Sequence, residues 1–557
     1  MRSGARVKGL CNRIRFRWRE ICVFWLAALI WVILARPVSL HLSSRLWGGG
    51  GDALGDAVFF QSISNSQELF PLTIDVLGAP DGYLIPWARL IAQAPLTLYM
   101  LVTSRLVNGI FAMNVLGALG FCLTASVLYA IGRRVTGDNL VSLAAPIVVT
   151  FQAGQLWNGV GAQGFVHLWI FGAVIYAFVR ARCHLSNRND VVAGLVWMFC
   201  MLWNPYLLLM GLVVGGSLFL SVLIFRVRKQ KHMSVSRRLC LLMLIGPSMA
   251  GVIILGGIVR FGTLGVRPHP SIEADLFSAR PMEYLLPPVG NFLEVVLKFL
   301  DPRPDVGTNL YVGLIAFGVA MYALRDLRSE SESSVLIQYS FTAIIVSFVL
   351  SGPRFVNLFG QSIELPTGTI MRFTTAWRIF GRFGLVVLVG IGILATLGLA
   401  RIRRRFGTGL VLVLLTLMMI DLKSASPHGY YKLQSSSALE CLKHLEKGVA
   451  IEFPTSDQNY EQWDRQSIHG HPIANGAEPG SDWDRVLWEL EPSKIETYRR
   501  LQDLGIKYAI FDVQSLKELD LDWIAKRAKL ELTGCADFRF VVFAVAGSSG
   551  SVHKQGR

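Results

Sequence analysis

Two aspartates in the first long hydrophilic segment have a spacing that suits acid–base chemistry. The segment runs Trp47-Gly-Gly-Gly-Gly-Asp52-Ala-Leu-Gly-Asp56. Residues four apart share one face of a helix, and the glycines allow backbone conformations that other residues avoid. Two carboxylates on one face could act as a general base and its orienting partner, or hold a divalent cation such as Mg²⁺ or Mn²⁺. The alternative is structural: Asp52 caps a helix and Asp56 complements its dipole.

A group of arginines precedes a later apolar segment, at Arg372, Arg378 and Arg382. Arg378 and Arg382 are four apart and would share a helix face. Because guanidinium groups bind phosphate oxygens through paired N–H donors, the group suits a lipid-linked phosphate or diphosphate. Anchoring among lipid headgroups by snorkelling accounts for the same arginines equally well.

Two more side chains are candidate substrate contacts. His167 lies at the start of an apolar segment, where an ionisable group is costly to bury and therefore suggests function. Its alternative is a hydrogen-bonded structural histidine. Asp75 lies shortly before the turn signal Pro80-Asp81-Gly82 and could line a cleft.

The composition indicates what surrounds these residues. Of 557 residues, 52% are hydrophobic and 17% are charged, whereas about a quarter of a soluble protein is charged. The mean hydropathy is +0.46. The net charge of +16 is spread between apolar blocks and forms no single basic face, which argues against a nucleic-acid partner. A polytopic protein of the lipid bilayer is therefore predicted.

About eleven segments are apolar and long enough to span a membrane, either alone or with buried ends. They are residues 21–40, 111–132, 139–153, 165–181, 190–203, 206–226, 239–259, 309–324, 335–351, 383–400 and 407–422. The basic residues 1–20 and the arginines of alternate short loops predict a cytoplasmic N-terminus and an external C-terminus. The transmembrane bundle then covers 21–422, with long external loops at 41–94, 261–308 and 352–382.

The pattern changes after residue 422. Segments 448–453, 506–513 and 538–546 are strand-like, and 492–504 is an amphipathic helix, which together predict a small extracytoplasmic α/β domain over 423–546. Residues 547–557 are predicted to be a disordered tail. Cys441 and Cys535 could pair there or remain free thiols. The predicted fold class is mainly α, a helical bundle with this α/β addition.

Several short segments carry a family resemblance. They are Gly51-Asp52-Ala53, Ala279-Arg-Pro-Met-Glu-Tyr-Leu-Leu-Pro-Pro288, Trp377-Arg-Ile-Phe-Gly-Arg-Phe383, His469-Gly-His-Pro-Ile-Ala-Asn-Gly476 and Leu504-Gly-Ile-Lys-Tyr-Ala-Ile-Phe511. With the layout above, they resemble the GT-C superfamily of integral membrane glycosyltransferases, and its YfhO-like branch of uncharacterised bacterial membrane proteins.

The resemblance implies a chemistry for these residues. An aspartate of the first loop, with Asp52 preferred to Asp56, would deprotonate an acceptor hydroxyl as it displaces the phosphate of a polyprenyl-phosphate-linked sugar. Unlike the family pattern, this loop lacks two adjacent acidic residues, which leaves a divalent cation unsettled. The arginine group lacks the proline expected between its members.

The predicted function is therefore sugar transfer to an envelope glycan, lipid or protein at the external face of a bacterial inner (plasma) membrane, as part of cell envelope biosynthesis. One alternative is a transporter or flippase of lipid-linked saccharides, although the nearly acid-free spans do not favour it. The other is a non-catalytic envelope-assembly protein whose external domain binds partners.

Overall fold

The structure is a computed structural model, and it is mainly helical. It describes residues 2–48, 51–66, 73–80, 82–85, 87–152, 163–184, 186–229, 244–255, 271–288, 291, 293, 310–327, 331–358, 360–373, 379–423, 429–433, 436–455, 460–476, 482–516 and 520–545. Asp81, Arg378 and the predicted tail lie outside these ranges.

The helices of the first half overlap most of the predicted apolar segments and include three further helices between residues 41 and 110. They are α1 (Arg2–Leu34), α2 (Gly51–Asn65), α3 (Trp87–Ala92), α4 (Ala94–Leu106), α5 (Gly109–Thr136), α6 (Ala144–Thr150), α7 (Trp169–Cys183), α8 (Asn187–Met201), α9 (Pro205–Met210), α10 (Gly216–Lys229) and α11 (Leu244–Leu255). A π-helical turn, Gly211–Gly215, joins α9 to α10. Helix α1 ends before Pro37, whose missing N–H cannot extend a helix.

The second half continues with α12 (Ser271–Leu276), α13 (Leu314–Ala323), α14 (Glu332–Ser351), α15 (Pro366–Phe373), α16 (Gly384–Asp421), α17 (Ser437–Leu442), α18 (Tyr460–His469), α19 (Asp482–Glu489), α20 (Ile495–Asp503) and α21 (Leu521–Ala528). The two spans predicted at 383–400 and 407–422 are joined in α16, which is interrupted at Gly407. The φ of Gly407 is 84°, a left-handed value that glycine adopts readily.

Four helical segments of the described chain are long and apolar enough to cross a membrane: Gly109–Thr136, Pro205–Ile224, Glu332–Ser351 and Phe380–Asp421. The chain is thus a multi-pass membrane protein, and the count of about eleven spans stays a prediction. The segment predicted at 139–153 contributes only a shorter apolar helix over Val141–Thr150. Hydropathy alone does not reveal where such a helix ends.

Small residues let the central helix α16 approach its neighbours. A Cβ added at Gly398 would clash with the Val319 carbonyl oxygen on α13, and one at Gly392 would come within 3.3 Å of Ala145 on α6. Close backbone approach at small residues is how membrane helices gain packing energy without a hydrophobic driving force. Helix α16 is accordingly almost entirely buried from Gly384 to Leu399.

The strands are short outside the C-terminal region. They are β1 (Leu46–Trp47), β2 (Thr73–Ile74), β3 (Tyr83–Leu84), β4 (Phe355–Leu358), β5 (Gln361–Glu364), β6 (Tyr430–Tyr431), β7 (Val449–Phe453), β8 (Ile506–Asp512), β9 (Leu530–Ala536) and β10 (Phe540–Val545). The last four form one sheet in the order β7-β8-β10-β9. Strands β7 and β8 are parallel, and β10 is antiparallel to both of its neighbours. The three predicted strands agree with β7, β8 and β10, whereas β9 was not predicted.

Cys441 and Cys535 form a disulfide that ties α17 to β9 across 94 residues of chain. This resolves the two alternatives left open by the sequence in favour of pairing. A crosslink over so long a loop restricts the unfolded chain strongly in the chain-entropy account.

We expect the Cys441→Ala/Cys535→Ala variant to lower the free energy of unfolding of residues 436–545 by about 2–4 kcal/mol. Hydrogen exchange of the sheet amides in the full-length protein measures this local stability. Cys22→Ala, which removes an exposed free thiol, is the control and should leave the exchange unchanged. Equal protection in the double variant and in the wild type would contradict a stabilising disulfide.

Candidate active site

Helix α2 carries both predicted carboxylates. It begins at Gly51, whose φ of 57° is left-handed, and Asp52 lies in its first turn with an exposed side chain. Asp56 lies one turn further on and is half-buried. The two residues therefore occupy one helix face, as the spacing predicted, and Asp52 is the more accessible of the two.

The first residue of α5 packs against the part of α2 that follows Asp56. The Gly109 N–H donates to Gln61 Oε1 over 2.8 Å. A Cβ added at Gly109 would clash with the Ala57 carbonyl oxygen, so the two helices meet backbone to backbone. This contact sets the position of the carboxylates relative to the first residue of α5.

The C-terminal region packs directly on the first loop. Strand β1 pairs with β6 through Leu46 and Tyr431, and the Tyr460 ring of α18 lies over Gly55, where a Cβ would come 2.6 Å from the ring carbons. Tyr460 therefore lies beside the helix face that carries the two aspartates.

A second contact extends the C-terminal sheet with the first loop. The Ile473 N–H donates to the Val76 carbonyl, and the Ala79 N–H donates back to the Ile473 carbonyl, each over 3.0 Å. Ile473 also bridges to Ala450 of β7 in parallel. Asp75 is exposed and immediately precedes this docked stretch, so the C-terminal region holds its loop in place.

Aromatic rings line the junction between α2 and α18. The centroids of Tyr460 and Trp463 are 5.1 Å apart, those of Trp463 and Tyr83 are 6.5 Å apart, and those of Tyr83 and Phe59 are 6.0 Å apart. Tyr460 and Trp463 are half-buried. Such rings can pack on the apolar C–H face of a sugar and offer polar edges to its hydroxyls. The sequence analysis missed this junction, although the spacing of Tyr460 and Trp463 on one helix was a visible signal.

Arg382 lies in a 3₁₀ turn, Phe380–Phe383, immediately before α16. Its guanidinium carbon lies 3.9 Å from the centroid of the Phe165 ring and 4.5 Å from that of the Tyr206 ring. Stacking uses the faces of the guanidinium, whereas its N–H donors lie in the guanidinium plane. The two rings therefore hold the guanidinium in a fixed orientation.

Of the three arginines in the predicted group, the structure describes Arg372 and Arg382. Arg372 is exposed on α15 and forms an ion pair with Glu364 of β5. Arg378 lies outside the described residues. Arg382 is therefore the one member for which the structure describes an oriented, partly buried guanidinium.

His167 is buried and uses both ring nitrogens. The Trp169 indole N–H donates to Nδ1 over 3.1 Å, so Nδ1 carries no proton. Nε2 is 3.1 Å from the Leu116 carbonyl oxygen, which can only accept, so Nε2 carries the proton. A neutral imidazole with both positions occupied fits a structural histidine, and we leave His167 out of the proposed phosphate site.

Helix α5 relates the carboxylates to Arg382. Helix α2 meets its first residue, Gly109, while Leu116 contacts His167, two residues from the Phe165 ring under Arg382. At a rise of about 1.5 Å per residue, Gly109 and Leu116 are about 10 Å apart along the axis of α5. Arg133, in the last turn of α5, marks the other end of the bundle and lies about 36 Å from Gly109. The carboxylates and Arg382 therefore lie at the same end of the bundle, which is also the end that contacts the C-terminal region.

Within the described ranges, no group of three or more His, Cys, Asp or Glu side chains is arranged to hold a metal ion. A divalent cation at Asp52 and Asp56 remains a prediction.

No protein-family profile and no curated protein matches the chain. Among solved structures, it is similar to the arabinofuranosyltransferase AftD from mycobacteria, with a TM-score of 0.59 and 11% identity over 95% of this chain. The chain spans only 41% of the length of AftD. It is also similar to ArnT from Cupriavidus metallidurans, with a TM-score of 0.50 and 14% identity over 95% of this chain and 99% of ArnT.

A second ArnT structure, bound to undecaprenyl phosphate, gives the same TM-score of 0.50 at 13% identity. Both of these neighbours are GT-C glycosyltransferases. The chain itself has the GT-C fold, as its motifs predicted.

Proposed function

We propose that this chain is a membrane glycosyltransferase that moves a sugar from a polyprenyl-phosphate-linked donor to an acceptor hydroxyl at the external face. The observation that carries the proposal is the position of the Asp52 and Asp56 carboxylates and the stacked Arg382 guanidinium at one end of a GT-C bundle. The fold shared with ArnT, for which a complex with undecaprenyl phosphate is solved, supports a lipid-linked donor.

In the proposed reaction, Asp52 accepts the proton of the acceptor hydroxyl. The acceptor oxygen forms a bond to the anomeric carbon while the bond from that carbon to the phosphate oxygen breaks. The phosphate leaves with the electron pair, and the N–H donors of Arg382 stabilise its charge. Asp56, one turn away, orients Asp52 and the acceptor. A bound Mg²⁺ or Mn²⁺ would add a positive charge at the two carboxylates.

The acceptor would enter at the junction between α2 and the C-terminal region. Tyr460 and Trp463 offer ring faces and edges there, next to the helix that carries the proposed base. This chemistry suits an envelope glycan, or the sugar or hydroxyl part of a lipid or protein.

The direct test supplies the purified full-length protein with labelled polyprenyl-phosphate sugars and an envelope extract as acceptor. The expected result is label in a new glycosidic bond together with release of the polyprenyl phosphate. Translocation of the label across a proteoliposome membrane without a new bond would instead support the transporter alternative. If the protein shows no transfer and no translocation, the result would favour the non-catalytic assembly protein.

Arg382→Ala is expected to raise the KM for the donor by about 10–100-fold, because a hydrogen bond to a charged group contributes about 1.5–3 kcal/mol. It should also lower kcat, because Arg382 stabilises the charge of the leaving phosphate. Arg372→Gln is the comparison, since Arg372 is exposed and already paired with Glu364. It should change the KM by less than about threefold, in line with the small contribution of an exposed ion pair. A larger effect at Arg372 than at Arg382 would contradict the assignment of the phosphate contact to Arg382.

A further inference from the structure

A pocket of about 430 Å³ lies at the opposite end of the bundle from the candidate active site. It is lined by Tyr322, Asp326, Arg401, Arg404 and Arg405. Three of these five side chains are cationic and one is anionic. The pocket therefore carries a net positive charge, and the proposed sugar-transfer chemistry does not use it.

Its place in the bundle follows from α5 and α16. Arg403, next to the lining arginines, forms an ion pair with Asp138, two residues beyond the end of α5. Since α5 has 28 residues and is about 42 Å long, the pocket and the Gly109 end are separated by most of a membrane thickness. The two sites cannot share one ligand headgroup.

Contacts within the pocket fix part of its cationic lining. Arg401 Nη1 lies 2.5 Å from Asp326 Oδ1, and its guanidinium carbon lies 5.2 Å from the centroid of the Tyr322 ring. Arg325 packs over the same ring at 4.9 Å. One arginine is thus neutralised and oriented by Asp326. Arg404 and Arg405 are exposed beside it, and Arg405 also interacts with the Tyr322 side chain.

The shape of α16 places these arginines at a helix end. They occupy the last turns before the break at Gly407, where the φ of 84° interrupts the helix. The C-terminal end of a helix favours cations, which helps to hold several arginines close together.

Exposed apolar side chains flank the pocket. Phe406 is 55% exposed directly after Arg405, and Met321 is 49% exposed directly before Tyr322. Further along the same two helices, Leu410 and Phe317 are exposed as well. A ligand that carries both a phosphate and acyl chains would satisfy the arginines and these apolar faces together, whereas a free phosphate would contact only the arginines.

We propose that this pocket binds the phosphate headgroup of an anionic membrane lipid. The guanidinium groups of Arg404 and Arg405 bind the phosphate oxygens, Arg401 and Tyr322 form the floor, and the acyl chains lie along Phe406 and α13. The site is independent of the sugar-transfer proposal and would remain if that proposal failed.

The test titrates the detergent-purified full-length protein with phosphatidylglycerol or phosphatidylcholine and counts bound lipid by native mass spectrometry. The wild type is expected to bind phosphatidylglycerol at least tenfold more tightly than phosphatidylcholine. Arg404→Gln/Arg405→Gln should lose about tenfold or more of the phosphatidylglycerol affinity, the size expected for two basic residues at a charged membrane surface.

The matched control is Arg134→Gln/Arg188→Gln, which removes two exposed arginines at the same end of the bundle but outside the pocket. It should keep its phosphatidylglycerol affinity within about twofold. Equal losses in both double variants would overturn the pocket in favour of a general charge effect. A third arm adds millimolar inorganic phosphate: full displacement of the lipid would overturn a lipid ligand, and retention would support it.

Discussion

Replacing Asp52 by Asn is expected to lower the kcat of sugar transfer by about 10²–10⁴-fold, the contribution of a positioned general base. Asparagine keeps the size and most hydrogen bonds of the side chain but cannot take up a proton. Because the donor phosphate is held elsewhere in the proposal, the KM for the donor should stay within a few-fold of the wild type. Initial rates with a labelled polyprenyl-phosphate sugar measure both constants.

Asp522→Asn is the matched control for Asp52→Asn. Asp522 lies in the first turn of α21, as Asp52 lies in the first turn of α2, so both substitutions remove the same helix-dipole interaction. The control should leave kcat unchanged. Asp56→Asn is expected to lower kcat by less than Asp52→Asn, since Asp56 is half-buried and acts by orienting its neighbour. Full transfer in both loop variants would exclude these aspartates as the base.

Local signals in the sequence predicted the elements that carry these residues. The spacing of Asp52 and Asp56 places both on one face if a helix begins there, and α2 does begin at Gly51. The predicted strands at 448–453 and 506–513 match β7 and β8 within about one residue, because short apolar runs bounded by Pro or Gly act over a few positions. Only neighbours along the chain are needed for such predictions.

The contacts that build the site depend on residues far apart in sequence. The rings under Arg382 come from Phe165 and Tyr206, and the docking of Val76 on Ile473 joins segments separated by about 400 residues. A single sequence contains no signal for such pairings. His167 illustrates the same limit, because the Leu116 carbonyl and the Trp169 indole determine its role.

A buried ion pair lies next to the segment of the C-terminal region on which the loop docks. Arg465 and Glu452 have side chains that are 5% and 1% exposed, and they bond to each other through two nitrogen–oxygen pairs. Asn475 joins the main chain of Glu452 to the loop: its side-chain amide donates to the Glu452 main-chain carbonyl over 2.9 Å, and its own main-chain carbonyl accepts from the Gly78 N–H over 3.0 Å. The residue that carries the buried carboxylate is therefore linked through its main chain to the loop that follows α2.

Arg465→Met is expected to lower the free energy of unfolding of this region by about 3–5 kcal/mol near neutral pH, because it leaves the Glu452 carboxylate buried without its partner. Hydrogen exchange of β7 and β8 in the full-length protein measures the loss. Glu452→Gln/Arg465→Met removes both charges and should recover most of the stability. If the double variant were no more stable than Arg465→Met, lost packing rather than an unpaired charge would explain the effect.

The pH dependence of the destabilisation distinguishes an unpaired buried charge from lost packing. Burial raises the pKa of Glu452 above its usual value even with Arg465 present. A raised folded-state pKa adds stability below the unfolded pKa of about 4.3, and that stability is lost as the pH rises through the folded value. Removing Arg465 takes away the attraction that opposes the shift, so the destabilisation of Arg465→Met should grow from pH 5 to pH 8. In Glu452→Gln/Arg465→Met the buried carboxyl is gone, so the difference from wild type should vary much less over that range. Because Asn475 joins the main chain of Glu452 in β7 to Gly78, transfer activity in Arg465→Met should fall along with the protection of β7 as the pH rises.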